Sequence, residues 1–558
     1  MSRSAKAFIV GLITAILGGF FSITAGQSLE TRVGLDMLFR LRGPREVPPE
    51  AVVVTLDPDI ANPLNLPKEP RKWPRSIYAK IVDNLTQAGV AIIVFDLQMD
   101  EPRDANEDAI FAESVRRAGN VLLYEHVIKP PVKDDRGRYL PQVPLEKRFP
   151  PLPVLTEGAL GFGTFFLPER EKIFEYWTFK SGSGDRPTLP ALVFQAFALE
   201  VYEDLVRLMT ETGLSQVISY PEKNSIITGK KLLDFTQNLR HFFFNHSDAA
   251  EQMLKAVKQS PSLASDPRKQ RMLRSLIRMY TDEEGRYFNF YGKPGTVPTV
   301  SYDQGMRGTE ALTYDDREVT FKGRAVFVGV SELYQSNQLD GFPSVFSRDD
   351  GVDLCGVELL ATAFANFLED MPVRFIPGGW HLALILMWGA LLGILCRFLS
   401  ISIGAGAVLG VSALYLSLIY YQFKETGVCY PVVTPLFLQA PFAFFFTTLW
   451  KYQDTRIERG KIKEAFGFYV PPNLVEELAR NVANIKETRK MVYGICMFTD
   501  VKGFTKVSES MNPMELARVM NLYYESILKP IRQHQGLVLK LWAMRSWRCG
   551  VRLRPIRR

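Results

Sequence analysis

The sequence predicts an α/β chain: a parallel-sheet domain set between membrane-spanning helices, with the start of another domain behind them. Over residues 27–374, short β-branched runs alternate with helical patterns, as in parallel sheets covered on both faces. Four apolar runs free of Asp, Glu, Lys and Arg are each long enough to cross a bilayer. After the last of them a charged helical stretch leads into an apolar strand, a Gly-containing turn and a further helix.

Composition agrees with this division. At 558 residues there is room for several domains, and 47% hydrophobic residues suit soluble domains joined to a few spanning helices. The net charge of +7 is spread along the chain with part of it in the last residues, so nucleic acid is not an expected partner. The five Cys include no CxxC pair and the five His no HExxH, so neither a disulfide framework nor a zinc site is indicated.

Taken in order, residues 1–6 form a cytoplasmic N-terminus carrying Arg3 and Lys6. Residues 7–26, "AFIVGLITAILGGFFSITAG", make the first span; with no clear small-residue cleavage site before the run ends, it reads as an uncleaved anchor rather than a signal peptide. The sheet domain occupies 27–374, with a long polar helical insertion at about 203–284. Its strands include "AVVVTLD", ending at Asp57, and "VAIIVFD", ending at Asp96, separated by the amphipathic "SIYAKIVDNLTQAG". Open α/β sheets bind ligands at such strand ends, although an aspartate there more often forms a turn or caps a helix, and that is the role expected of both.

The remaining spans are residues 375–396, 398–423 and 427–450. Pro431, Pro435 and Pro441 should kink the last, and Trp380, Tyr430 and Trp450 sit near span ends as interfacial anchors. Arg3 and Lys6, then Arg397, then Lys451, Arg456, Arg459, Lys461 and Lys463 fall on one side of the membrane, the cytoplasmic side by the positive-inside rule. The sheet domain is then outside. Residues 451–482 read as a signalling helix, a Pro-Pro break and a second helix, and 488–540 as the opening of another domain. There Asp500 closes a strand beside a Gly turn, an arrangement that suits metal–phosphate chemistry but is also common in surface loops.

Two resemblances sharpen this reading. "AVVVTLDPDI", "WPRSIYAKIVDNLTQAGVAIIVFDLQMDEP", "FAESVRRAGNVLL", "FNFYGKPGTVPTVSY", "GRAVFVGVS" and "GVDLCGVELLATAFANFL" resemble, in order, the CHASE-type extracellular sensor of bacteria in its second class. The likeness covers most of Glu30 to Met371 and implies a periplasmic sensor of unknown stimulus, in a multi-pass protein of the bacterial inner membrane.

"FTDVKGFT" looks like the first metal motif of class III nucleotidyl cyclases, and "AFGFYVPPNLVEEL" like the transducer just upstream of them. That resemblance implies a ferredoxin-like α+β catalytic domain that works as a head-to-tail homodimer. It implies that Asp500 and the Val501 carbonyl bind two Mg²⁺ or Mn²⁺ ions, that Gly503, Phe504 and Thr505 line the triphosphate, and that Lys540 reads adenine. ATP is then the substrate, cyclic AMP and pyrophosphate the products. One ion would activate the ribose 3′-hydroxyl and both would stabilise charge on the phosphates.

After Lys540 the chain leaves the family pattern. The family continues with Gly-Asp; here residues 541–558 read "LWAMRSWRCGVRLRPIRR", without strand alternation or caps. Trp has a single codon, TGG, and Ala codons begin GC, so a shifted frame forces Gly from Trp542-Ala543. With permitted codons that frame reads "MGDAIMALWGAAPPDPP", which restores the second metal motif. The tail is therefore expected to be out of frame, through one base lost after the Lys540 codon. The chain as written should be inactive in ATP cyclisation. The two functions that follow are a receptor adenylate cyclase whose catalytic domain is interrupted, and a catalytically dead sensor that pairs with or inhibits full-length cyclases. A kinase or diguanylate cyclase output is disfavoured by "FTDVKGFT".

Overall fold

The computed structural model describes residues 2–57, 66–128, 146–168, 171–180, 184–214, 221–227, 231–282, 284–306, 312–314, 317–332, 338, 340–467, 501–534, 536–540 and 548–552. They divide into two units, Met1–Phe442 and Ala443–Arg558.

The first unit is built on a six-stranded sheet: β1 (Ala51–Thr55), β2 (Ile92–Asp96), β3 (Val121–Tyr124), β4 (Gly161–Gly163), β5 (Thr299–Ser301) and β6 (Ala325–Gly329). The order is β5-β1-β6-β2-β3-β4 and every pairing is parallel. β6 comes last in the chain yet lies at the centre, with Phe327 opposite Val53 on one side and Val94 on the other.

Side chains alternate between faces. Val52, Val54, Ile93, Phe95, Val326 and Val328 enter one core with Tyr78 and Phe111. The first six belong to the strands; Tyr78 and Phe111 come from the helices that follow β1 and β2. Phe327 faces the other way, its ring 5.5 Å from that of Phe364. Both faces are covered, which is why the strands read as unbroken apolar runs. Each fully buried Val or Phe contributes about 1.5–3 kcal/mol relative to exposure.

A continuous helix α1 (Ser4–Arg42) precedes the sheet. α2 (Arg75–Gln87) and α3 (Ala105–Ala118) pack on the first face. Asp104 caps α3 by accepting from the Asn106 and Glu107 N–H groups, and Gly119 ends it in the left-handed conformation at φ 67°. α4 (Leu189–Phe197) lies against β2 and β3 on the opposite face. The insertion supplies α5 (Tyr202–Glu211), α6 (Lys231–Asn245), α7 (Ser247–Gln259) and α8 (Pro267–Thr281). Its helices are not polar throughout: Leu239, Phe243, Met253, Leu273 and Leu276 are buried, and Tyr280 donates to Gln195 of α4. α9 (Gly356–Glu369) follows β6 and covers β1 and β6, with Phe367 stacked on Phe194 at 5.0 Å.

Among the described residues three helices are long and apolar enough to cross a membrane: α1, α10 (Gly378–Phe398) and α11 (Ile401–Thr426). The first helix does not stop at residue 26. It continues through π-helical turns at Ser22–Gly26 and Glu30–Gly34 as far as Arg42, whose guanidinium reaches Asn289 and the Phe290 carbonyl of the sheet domain. The run 427–450 is not one helix. Val428–Cys429 pairs with Arg374–Phe375, Thr434–Gln439 is π-helical, and α12 (Ala440–Gly467) begins beyond it. Pro431 and Pro435 lack the N–H that a continuous helix needs there.

The second unit contains α13 (Phe504–Ser510), α14 (Pro513–Gln533), β7 (Gly536–Lys540) and β8 (Arg548–Arg552). The tail, expected to form no element, contributes β8, paired antiparallel with β7. The hairpin satisfies backbone groups that an isolated strand would leave open, and its register shifts twice, as suits a segment with no alternation. On α14, Leu528 packs with Tyr524 and Ile531, whereas Met514, Val519 and Leu522 are exposed.

Candidate ligand site of the sheet domain

A cavity of about 700 Å³ opens at the C-terminal ends of β2, β3 and β6. Its position follows from the chain path. β2 leaves the sheet toward α3 on one face and β6 toward α9 on the other, so the two adjacent strand ends part and leave a crevice. Asp96, the last residue of β2, stands opposite Gly329, the last of β6. A Cβ on Gly329 would come within 2.8 Å of the Val357 Cβ, so this glycine lets α9 close on the sheet beside Asp96.

Two carboxyl groups line the crevice. Asp96 is partly exposed to the cavity, and its carboxylate has no hydrogen-bond partner among the described residues. Asp340 accepts a 3.1 Å hydrogen bond from the Gly356 N–H at the start of α9. Burial pushes the Asp96 carboxyl up to about 8, with Asp340 adding repulsion. Burial likewise raises Asp340 to about 6, against the stabilising Gly356 N–H. Tyr124, at the end of β3, has its phenol raised by burial and then by Asp96 and Asp340. Gln98 is held between Asp100 and His126, its Nε2 at 3.3 Å from Asp100 Oδ2 and 2.9 Å from His126 Nδ1.

The rest of the wall is apolar, with Phe165, Phe166 and Phe342 prominent. At the rim Glu69 pairs with both Arg71 and Lys72 at 2.8 Å, so the Arg71 of the lining already has a carboxylate partner. The sequence marked Asp96 by its strand-end position; in place of a turn or cap it faces this cavity. Asp57, two residues beyond β1, is not among the lining residues. Asp340, Tyr124 and Phe342 escaped the sequence reading because a side chain's approach to another strand end leaves no local pattern.

The residues expected for nucleotide and metal chemistry lie in the second unit. Asp500 is outside the described residues. Val501, Gly503, Phe504 and Thr505 share one turn: the Phe504 N–H donates to the Val501 carbonyl at 3.2 Å, Gly503 is left-handed at φ 78°, and α13 starts at Phe504. Lys540 ends β7 opposite Arg548. Among the described residues no group of three or more His, Cys, Asp or Glu is placed to hold a metal ion. Residues 541–558 contain no Asp or Glu, so this stretch offers no second carboxylate, and the residues present do not fit a two-metal centre.

Compared with known families, residues 9–394 match the model of the CHASE2 domain, well over half of the chain. The match takes in most of α1, the sheet domain and most of α10 and ends upstream of 488–540. No curated protein and no solved structure matches the chain.

Proposed function

The chain belongs to the CHASE2 domain family, a sensor domain of membrane receptors, and from this premise we propose that it is a multi-pass signalling receptor of the bacterial inner membrane. In this reading the sheet domain senses a periplasmic stimulus and the C-terminal segment is the opening of a class III adenylate cyclase domain. The observation that carries the receptor reading is the span of the family match, which joins a sheet domain with a ligand-sized cavity to apolar helices on both sides of it. That the run 427–450 crosses the membrane despite its break before α12, and that both ends are cytoplasmic, is read from hydropathy and the distribution of Lys and Arg.

The cyclase reading draws support from "FTDVKGFT" and from the left-handed Gly503, a backbone conformation suited to a tight turn of the kind that can approach phosphate oxygens. The exposed Met514, Val519 and Leu522 on α14 suit a helix whose covering layer is missing, as an out-of-frame tail after Lys540 would leave it. In an intact homodimer ATP and two Mg²⁺ or Mn²⁺ ions would meet at the Asp500 turn; with residues 541–558 as they stand, no step through these ions is available to this chain.

Labelling in intact cells tests the receptor reading. A membrane-impermeant maleimide should modify a cysteine placed at exposed Lys258 of the insertion and spare one placed at exposed Lys502. Labelling in the opposite sense, or of both, would overturn the topology.

A further inference from the structure

We infer that the crevice between β2 and β6 binds a small organic ammonium compound with an apolar, preferably aromatic, body. The inference rests on the sensor reading in one respect only: the cavity must face the periplasm for the ligand to be a stimulus.

Charge sets the sign of the ligand. At the rim Glu69 is shared by Arg71 and Lys72, whereas Asp96 and Asp340 are acidic groups of the lining with no ion-pair partner among the described residues. An anionic ligand would meet two carboxyl groups. It would also find the amide at the start of α9 already taken, because the Gly356 N–H is bound to Asp340. A bound ammonium favours the ionised form of Asp96 against burial and the nearby Asp340, and supplies the hydrogen-bond donors that the Asp96 carboxyl group lacks among the described residues.

The walls set the chemical class. A hard metal ion requires about six or more oxygen ligands, whereas two carboxyl groups here are flanked by Leu97, Val127, Val330 and the rings of Phe165 and Phe342. A volume of about 700 Å³ is that of a site for a small molecule rather than an ion. Aromatic faces attract ammonium groups and pack against apolar bodies. Tyr124 and Gln98 add polar atoms on the β3 side, and the Tyr124 hydroxyl makes no hydrogen bond among the described residues. Together these features put the ammonium between Asp96 and Asp340 and the apolar body against the phenylalanines.

The test is calorimetric titration of the full chain in detergent micelles near neutral pH. The probe is 2-phenylethylammonium, with phenylacetate and 2-phenylethanol as an anion and a neutral molecule of similar shape. The expected result is saturable binding of the amine alone, weakened at least about tenfold in Asp96→Asn and in Asp340→Asn, because each variant removes one carboxyl group that would face the ammonium. Asp57→Asn should bind like the parent. If Asp96→Asn does not fold, Asp340→Asn carries the same comparison. Absence of binding at millimolar amine, equal binding of the alcohol or acid, or undiminished binding by both variants would overturn the proposal. The maleimide result is read independently, so a failed ligand assignment is distinguishable from a failed receptor topology.

Discussion

Glu30 and Val432 are joined by a 2.7 Å hydrogen bond: the carboxylate of α1 accepts from the backbone N–H of a residue 402 positions later. The same carboxylate accepts from Val433 at 3.1 Å and Thr434 at 3.0 Å. These N–H groups open a helical segment and have no partner within it, so a buried side chain of α1 caps the start of the last apolar run. Glu30→Ala leaves several buried N–H groups unsatisfied. It should lower stability by about 2–4 kcal/mol, seen as a lower unfolding midpoint in detergent, and Glu30→Gln should recover part of the loss. Equal midpoints for parent and Glu30→Ala would show that the cap does not stabilise the helix bundle.

The contact between α1 and α10 depends on small residues. A Cβ on Gly393 would lie 2.6 Å from the Gly11 Cα, whereas one on Gly406 of α11 would meet nothing within 4 Å. Gly393→Val must push the two backbones apart, at a cost of about 1–3 kcal/mol. Gly406→Val should be neutral within about 0.5 kcal/mol. Thermal unfolding of the two variants beside the parent checks the contrast.

Asp96 makes stability depend on pH in an unusual direction for a carboxylate. Its folded pKa of about 8 lies above the ordinary 3.8, so between these values the folded state holds a proton that the unfolded state has released. The stability associated with this proton is complete below the ordinary carboxylate pKa and is lost as pH rises through about 8. Asp96→Asn removes the penalty. The variant should unfold at least about 2 °C higher than the parent at mildly alkaline pH, with the gap closing toward acid; a gap that widens toward acid would refute the assignment.

The cyclase reading predicts two activities from one gene. The chain with residues 541–558 as they stand should form no cyclic AMP from ATP with Mg²⁺ or Mn²⁺. A form with one base restored after the Lys540 codon should do so, and Asp500→Ala should reduce that activity at least about a hundredfold by removing a metal ligand. Cyclic AMP made by the present chain, or none by the restored one, would overturn the reading. Resequencing across that codon separates a lesion in the gene from an error in the sequence.

Some of this architecture was legible in the residues themselves. "AVVVTLD", "VAIIVFD" and "AVFVGVS" announce buried parallel strands because a strand covered on both faces must be apolar at every position. The three long apolar helices were equally plain, since crossing hydrocarbon is decided by summed local hydropathy. Local periodicity could not say that β6 inserts between β1 and β2. It therefore could not say that Asp340 joins Asp96, that Glu30 caps residues 432–434, or that the run 427–450 is broken before α12. Hydropathy and turn chemistry are properties of neighbours in the chain. A shared cavity or a buried hydrogen bond between remote residues exists only once packing has brought them together, and those contacts decided where the candidate site lies and what charge it presents.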